Sequence, residues 1–539
     1  MPSHRWRRAV LLAGLATLVV GGSLLGLQTF ARQPHVLRVG TWNGIPGQFK
    51  TIQAATLAAQ PGDWILVAPG DYRETGYKGE AEPAGVLITT PNLHLRGMDR
   101  NRTIVDGTKS GPACSSNPLD QGALGRDGVE VLKANNTWID NLTVCNFLTG
   151  PSGGEGNQVW WNGGDGGGTI NLSGFWGNYL TATSTYSSSV AGTLGPCCGV
   201  SYPAGDYGIF SSNSTNGWFK YSYASNMADS AYYIGACAQR CNQLMDHDTA
   251  EGSALCLSST NAGGWLFIEH TLCRNNKTGL VSNSQNNDDQ PAPQNGLCPP
   301  GVTGPLGTQS CTVWYQNTVV DNNNPNVPGN GAGLSGQGPV GTGMILAGSR
   351  YVTLAGNDVE NNGAWGELIA DLPDQEAAPA PYTQCQGGTI YEPNSQICYF
   401  QAYGNVSENN TFSGNGYYGN PSNGDVALAT LPNNPGNCFS GDSTPDTTYQ
   451  PTGTDPAGIE SNPLYAPTNG VCASPNGGDD PVLLAGALCA TQLLGPPCPP
   501  FPVLTNYPRP AAQFPLLPIP GEDSMPNPCA GVPSNPWCP

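Results

Sequence analysis

The chain has 539 residues, 73 of them Gly, 49 Pro and 18 Cys, with only 11% charged; this suits a loop-rich β solenoid and argues against helical bundles or a row of α/β domains. A 38% share of apolar and aromatic residues is adequate for a long thin core and a poor fit to intrinsic disorder. The net charge of −19 is repelled by phosphate backbones and anionic lipid, which excludes nucleic acid as a partner, and an acidic polysaccharide would need a local basic patch or a bridging cation.

In chain order, Arg5, Arg7 and Arg8 precede an apolar run over residues 9–27 and then Thr29-Phe30-Ala31, a small-residue cleavage pattern. Residues 1–31 therefore read as an export segment. The run exceeds the ~7 to 15 residues of a signal core and approaches the ~20 that span a bilayer, so a signal peptide and a retained N-terminal membrane anchor both stand. Arg7-Arg8 fits a twin-arginine signal only loosely. The expected location is secreted or cell surface, with membrane contact through this segment alone and a monomeric ectodomain. Phe49, Ile52, Ala55 and Ala59 recur at helical spacing and predict one short helix over residues 49–60, ended by Pro61-Gly62-Asp63. Short β-rich runs follow at 64–68, 86–89, 93–96 and 103–105, too closely punctuated for βαβ units.

Phe49-x-Thr51-Ile52-Gln53-Ala54-Ala55, followed by Ala59-x-Pro61-Gly62-Asp63-x-Ile65-x-Val67-x-Pro69-Gly70-x-Tyr72, resembles the opening of bacterial pectin-lyase-like right-handed β-helix proteins. The resemblance implies an all-β, right-handed parallel β-helix whose N-terminal helix caps the solenoid. Such a cap shields the apolar interior of the first coil and its unpaired strand edge.

Internal repeats carry the same expectation onward. Segments beginning at Asp206, Asp229, Glu251 and Lys277 recur roughly 22 to 26 residues apart, one solenoid coil each. Residues 218–221, 244–247 and 265–268 read as the second strand of each coil, and residues 343–346, 351–354 and 365–369 continue the pattern. Asparagines such as Asn275-Asn276, Asn322-Asn323-Asn324 and Asn361-Asn362 suit corners that need left-handed backbone, and the sequon at Asn141 reads as a corner rather than a glycan site. Residues 150–201 are expected to be coils carrying long excursions, and residues 283–308 a polar, Pro-containing loop. The solenoid is assigned to residues 36–432 and an irregular Pro- and Cys-rich tail to 433–539, with the last coil as the surface it could cover. The cysteines read as structural disulfides; a metal alternative at Cys237-x3-Cys241 or Cys197-Cys198 lacks a second half-site of zinc spacing.

Stacked coils turn equivalent residues into surface ladders about 4.8 Å apart. Aligning residues 242–247 with 265–270 sets Asp246 beside Glu269 and His247 beside His270, in a chain with five histidines. These four are the candidate catalytic residues, against the reading of a solvated acidic edge. Strand alternation predicts that the carboxylates and imidazoles face opposite ways. A second ladder, Asp206, Asp229 and Glu251 with Lys277, is the candidate ligand-binding row, against ordinary turn chemistry. If its carboxylates faced a groove, repulsion would raise one pKa and supply a general acid, with a one-coil step of about 5 Å suiting a retaining glycosidase and two coils, about 9.6 Å, at the edge of inverting geometry. Trp160 and Trp161 offer a sugar-stacking platform or packing beneath the excursion. Calcium is a candidate at the Asn- and Asp-rich turns, although no calcium repeat is present.

Catalytic signatures of related families are absent: no Gly-His-Gly with Arg-x-Lys, no Asp-Pro-His, and Trp138-Ile139-Asp140 is followed by Asn141 where pectate lyases carry His. No catalytic residue carries over. Two functions remain: association with extracellular polysaccharide, including its cleavage or modification, and a non-catalytic surface or adhesive scaffold.

Overall fold

The structure, a computed structural model, describes residues 32–75, 77–78, 83–150, 154–164, 169–188, 194–195, 199–200, 203–237, 240–284, 296–304, 307, 310–328, 339–373, 387–390, 398–419, 423–430, 434–442, 460–461, 507–511 and 513–539. The export segment at 1–31, Cys197-Cys198 and Asn286 to Asp289 lie outside the described residues. Among the described residues no helix is long and apolar enough to cross a membrane.

Each coil gives one short strand to each of three long sheets. In one turn the chain passes from Gln243–Asp246 in the first sheet to Thr249–Glu251 in the second and Leu255–Thr260 in the third, then returns to the first at Leu266–Glu269. The coil strands pair in parallel with their equivalents one coil away, as Gln243 does with Leu266 and Met245 with Ile268, and the third sheet adds an antiparallel strand at each end, Tyr77–Lys78 and Glu460–Ser461. The result is a right-handed parallel β-helix, as expected. Inward residues of the three sheets fill one continuous apolar column, from Val39 through Val129, Phe219, Ile268 and Leu354 to Phe439. The segment 150–201 holds a full coil, Val159–Asn162, Leu172–Asn178 and Thr181–Thr183, besides its excursions. Parallel pairing also continues to Cys438–Ser440, so the stack runs past the expected boundary at 432. Asn437 is the reason: its side-chain oxygen accepts Asn405 N–H, carrying a buried ladder one coil further.

The cap is shorter than the predicted 49–60. The helix spans Ile52–Ala58, with Thr51 Oγ1 accepting Ala54 N–H and buried Glu74 accepting Ile52 N–H. Phe49 is taken instead by a parallel bridge to Val39, and Ala59 is already extended.

Corners explain the asparagines. Between the first and second sheets one left-handed residue turns the chain in most coils: Asn141, Tyr179, Tyr221, His247, His270, Gln316 and Asn409 have φ of 60°, 52°, 52°, 58°, 49°, 51° and 55°. At the next position inward, the Asn357 side-chain oxygen accepts both N–H and Nδ2–H of Asn317, at 3.0 and 2.9 Å, and Asn410 does the same for Asn357. A second such ladder joins Asn276, Asn322, Asn362 and Asn415. These side chains satisfy corner backbone groups that no sheet pairs.

Disulfides join Cys114–Cys145, Cys237–Cys241, Cys256–Cys273, Cys298–Cys311 and Cys529–Cys538, which removes the metal alternative at Cys237 and Cys241. Of the described tail, Glu460–Ser461 pairs antiparallel with Leu428 and Ala427 at the edge of the last coil, whereas residues 507–511 and 513–539 leave it. From the Tyr507 ring, beside Trp365 and Tyr418, these residues run back along the flank toward the N-terminal end. Leu517 pairs with Asn226, Glu522 N–H with Asn101, Met525 N–H with Asn141, and Trp537 Nε1 donates to the Ile45 carbonyl at 3.0 Å. Under it, Arg100 is buried, donating to Thr181 Oγ1 and to the Tyr221 and Asp523 carbonyls.

Candidate functional site

Three parallel rows meet along the corner between the first and second sheets. The first lies on the outer face of the first sheet, where register aligns Trp64, His94, Trp138, Trp176 and Trp218. Trp64, His94, Trp138 and Trp176 stack with centroids 3.9 to 4.0 Å apart, so their faces are occupied and their edges border the surface. Trp64 is covered by the tail, whereas Trp138, Trp176 and Trp218 are half-buried. Trp218 ends the stack, tilted 60° from Trp176, with Nε1 donating to Asn178 Oδ1.

Two residues further along each strand lies a polar row: Arg96, Asp140, Asn178, Lys220, Asp246 and Glu269. Arg96 and Asp140 form a buried ion pair at 2.8 Å beneath the tail. The third row is the corner itself. Tyr179 stacks on Tyr221 at 5.2 Å, Tyr221 lies 5.2 Å from His247, and His247 lies 4.7 Å from His270. One ring per coil thus follows the corner, with Tyr221, His247 and His270 exposed.

Asp246 joins the polar row to the corner. Its Oδ1 lies 2.5 Å from His247 Nδ1 and 3.0 Å from His270 Nδ1, and its Oδ2 lies 3.4 Å from Lys220 Nζ. The expected separation of carboxylates from imidazoles is therefore overturned. Alternation ends where φ turns positive, and the corner swings both rings back beside the carboxylate. Burial pushes Asp246 upward, but hydrogen bonds from His270 and His247, with the Lys220 charge, hold it below the usual carboxylate range. The Asp246 contact in turn raises His270. Glu269 is the register partner of Asp246 and contributes negative potential to His270.

The second predicted ladder is only partly a ladder. Asp206 and Asp229 stand one coil apart, Asp229 N–H donating to the Asp206 carbonyl, and Tyr207 donates its hydroxyl to Asp229 Oδ2 at 3.2 Å. Glu251 is out of register: it ends a second-sheet strand between Ser225 and Arg274, with Arg274 Nε 3.3 Å from its carboxylate. The register of Tyr232 with Leu257 puts Ala254 opposite Asp229, because the Gly252-Ser253 corner shifts the repeat by about three residues. Trp160 and Trp161 do not form a platform. Adjacent strand residues face opposite ways, so Trp161 is fully buried against Phe175 and Phe219 while Trp160 stacks on Phe210 outside the third sheet.

Sequence reasoning missed Trp138, Trp176, Trp218, Lys220, Tyr179, Tyr221 and Gln316. A signal existed: the first sheet repeatedly places an aromatic residue two positions before its polar or charged residue. Among the described residues, three metal-ligating donors come together twice. One grouping contains the bridged pair Cys114–Cys145, and the other is Asp246, His247 and His270.

The fold and this surface define a right-handed parallel β-helix with a ring-lined corner. No protein-family profile matches the chain, and no curated protein matches it in sequence. Among solved structures it is similar to the A-module of the Azotobacter vinelandii mannuronan C-5 epimerase AlgE4, at 11% identity over 73% of this chain and 86% of that one, TM-score 0.36. It is also similar to an alginate lyase of Paenibacillus sp., at 11% identity over 70% and 95%, TM-score 0.37. A third similarity is to the tailspike of E. coli bacteriophage HK620 in complex with a pentasaccharide, at 10% identity and TM-score 0.41, over 76% of this chain and 59% of the tailspike.

Proposed function

We propose that this is an exported protein of the pectin-lyase-like β-helix type that associates with extracellular polysaccharide along the corner between its first and second sheets. The supporting observation is the row of exposed rings, one per coil, at Tyr221, His247 and His270, beside the half-buried Trp176 and Trp218. Aromatic surface takes up the apolar C–H faces of sugar rings, and the neighbouring Asn178, Lys220 and Glu269 offer hydrogen-bonding partners for hydroxyls. Disulfides fit an oxidising compartment.

A glycan array probed with the purified ectodomain identifies the ligand, and affinity electrophoresis then compares Trp218→Ala and Tyr221→Asn with the native chain. Asn already occupies the Tyr221 type of corner at Asn141 and Asn409, so the second variant keeps the backbone. Each is expected to weaken retention roughly tenfold, about 1.4 kcal/mol, at unchanged melting temperature. Unchanged retention in both variants, or no glycan bound, rejects the reading and favours the scaffold. Reducing-sugar release by the native chain, lost in Asp246→Asn and Glu269→Gln without loss of stability, is the outcome expected if turnover accompanies binding.

A further inference from the structure

We propose that Asp246, His247 and His270 form a surface site for one divalent ion of the zinc type, an assignment that shares its two histidines with the glycan-binding row but does not rest on that reading. The three donor atoms lie within 4.8 Å of one another and come from two consecutive coils. Both imidazoles turn Nδ1 toward the same carboxylate oxygen, Asp246 Oδ1, at 2.5 and 3.0 Å. The His270 ring is held from its other side, where Nε2 lies 3.2 Å from Gln316 Oε1. The Gln316 amide and the Asp246 carboxylate hold the ring between them, so that its Nδ1 edge is presented at Asp246 Oδ1. A cation between Nδ1 and Oδ1 replaces that hydrogen bond by coordination, with Gln316 holding the ring as outer-shell partners of zinc-bound histidines do.

The geometry asks little of the fold. Zinc–donor distances of ~2.0 to 2.2 Å in a tetrahedron set donors about 3.3 Å apart, so each ring needs to draw back from Asp246 Oδ1 by less than about 1 Å while the two ring nitrogens, within 4.8 Å of each other, take up the same spacing. His247 and His270 are exposed corner residues and can make that adjustment by side-chain rotation. Lys220 occupies the other oxygen, Oδ2, which makes Asp246 a one-oxygen ligand and leaves Oδ1 aimed at the rings. Two imidazoles and one carboxylate select zinc, copper or nickel over calcium and magnesium, which take oxygen ligands. Three protein donors leave a fourth position for water or a hydroxyl group.

The test is isothermal titration of chelator-stripped, full-length protein with zinc chloride, and separately with calcium chloride. One equivalent of zinc is expected to bind and calcium to give no heat that the ligand variants remove. His247→Asn and His270→Asn each place at the corner the residue found at Asn141 and Asn409, so folding is preserved and checked by an unchanged melting curve. Both are expected to abolish the one-site isotherm. Gln316→Leu should weaken it by about tenfold while leaving every ligand in place. Cobalt(II) added to the stripped native chain should develop visible ligand-field absorption that zinc displaces. The proposal is overturned if the native chain binds no zinc, or if the His247→Asn, His270→Asn double variant binds it with the same affinity. These readouts contain no polysaccharide, so they fail or succeed independently of the glycan array.

Discussion

Glu367 gives the sharpest test of how this core tolerates charge. It lies on the third-sheet strand Trp365–Ala370, at the interior position that neighbouring coils fill with Leu280, Met344 and Val426. Ser407 donates to its Oε2 at 2.8 Å, while Oε1 has no hydrogen-bond partner among the described residues. Burial, and secondarily the negative Asp442, push its carboxyl from 4.5 up to about 8. The folded protein therefore keeps a proton that the unfolded chain releases. Stability from this group is complete below pH 4.5 and is lost as pH rises toward 8. Each pH unit in that window costs about 1.4 kcal/mol, so roughly 3 kcal/mol disappears between pH 4.5 and 7. Glu367→Gln keeps the shape and an acceptor for Ser407 but cannot ionise. Thermal unfolding followed by circular dichroism at pH 5, 6, 7 and 8 should show the variant gaining on the native chain as pH rises. Parallel pH profiles for the two proteins would refute a buried, proton-holding Glu367.

Three further outcomes follow from described contacts. Arg100→Ala leaves the Tyr221 and Asp523 carbonyls without their buried donor and should cost about 3 kcal/mol, with faster proteolytic cleavage within residues 513–539 seen by limited digestion. Asn362→Ala removes donors to the Val319 carbonyl and Asn415 and an acceptor for Asn322; denaturant unfolding should show a loss of about 1 to 3 kcal/mol. Peptide mass spectrometry after alkylation without reduction should find Cys114, Cys145, Cys256, Cys273, Cys298 and Cys311 unmodified.

The sequence was readable where physics repeats with the coil. Strand runs such as 64–67 and corner asparagines such as Asn141 follow from local chemistry alone, so the solenoid could be read from them. Register is harder, because one corner of different length shifts every later alignment: Glu251 resembles Asp229 in its local sequence and sits on another sheet. Facing is harder still at corners. Alternation correctly separates Trp160 from Trp161, yet applied across the positive φ of His247 it sends the imidazole the wrong way. The aromatic row was hidden for another reason: His94 and the four tryptophans align only once the register of five coils is known. The course of the tail has no local signature at all, since its partners Asn226, Asn141 and Ile45 lie hundreds of residues upstream.

That returning tail changes what kind of polymer the solenoid is. A bare stack couples only nearest neighbours, so its ends can fray independently and its stability grows as a simple sum along one dimension. Here the Trp537 indole is tied to Ile45 across a sequence separation of 492, and Arg96 and Arg100 bind the same returning segment. The first coils thus depend on residues 523–537, far later in the chain. A chain that winds from its N-terminal cap must hold that end open until residues 517–537 have been made, and only then does this segment close it, turning a linear array into a loop that opens as one unit.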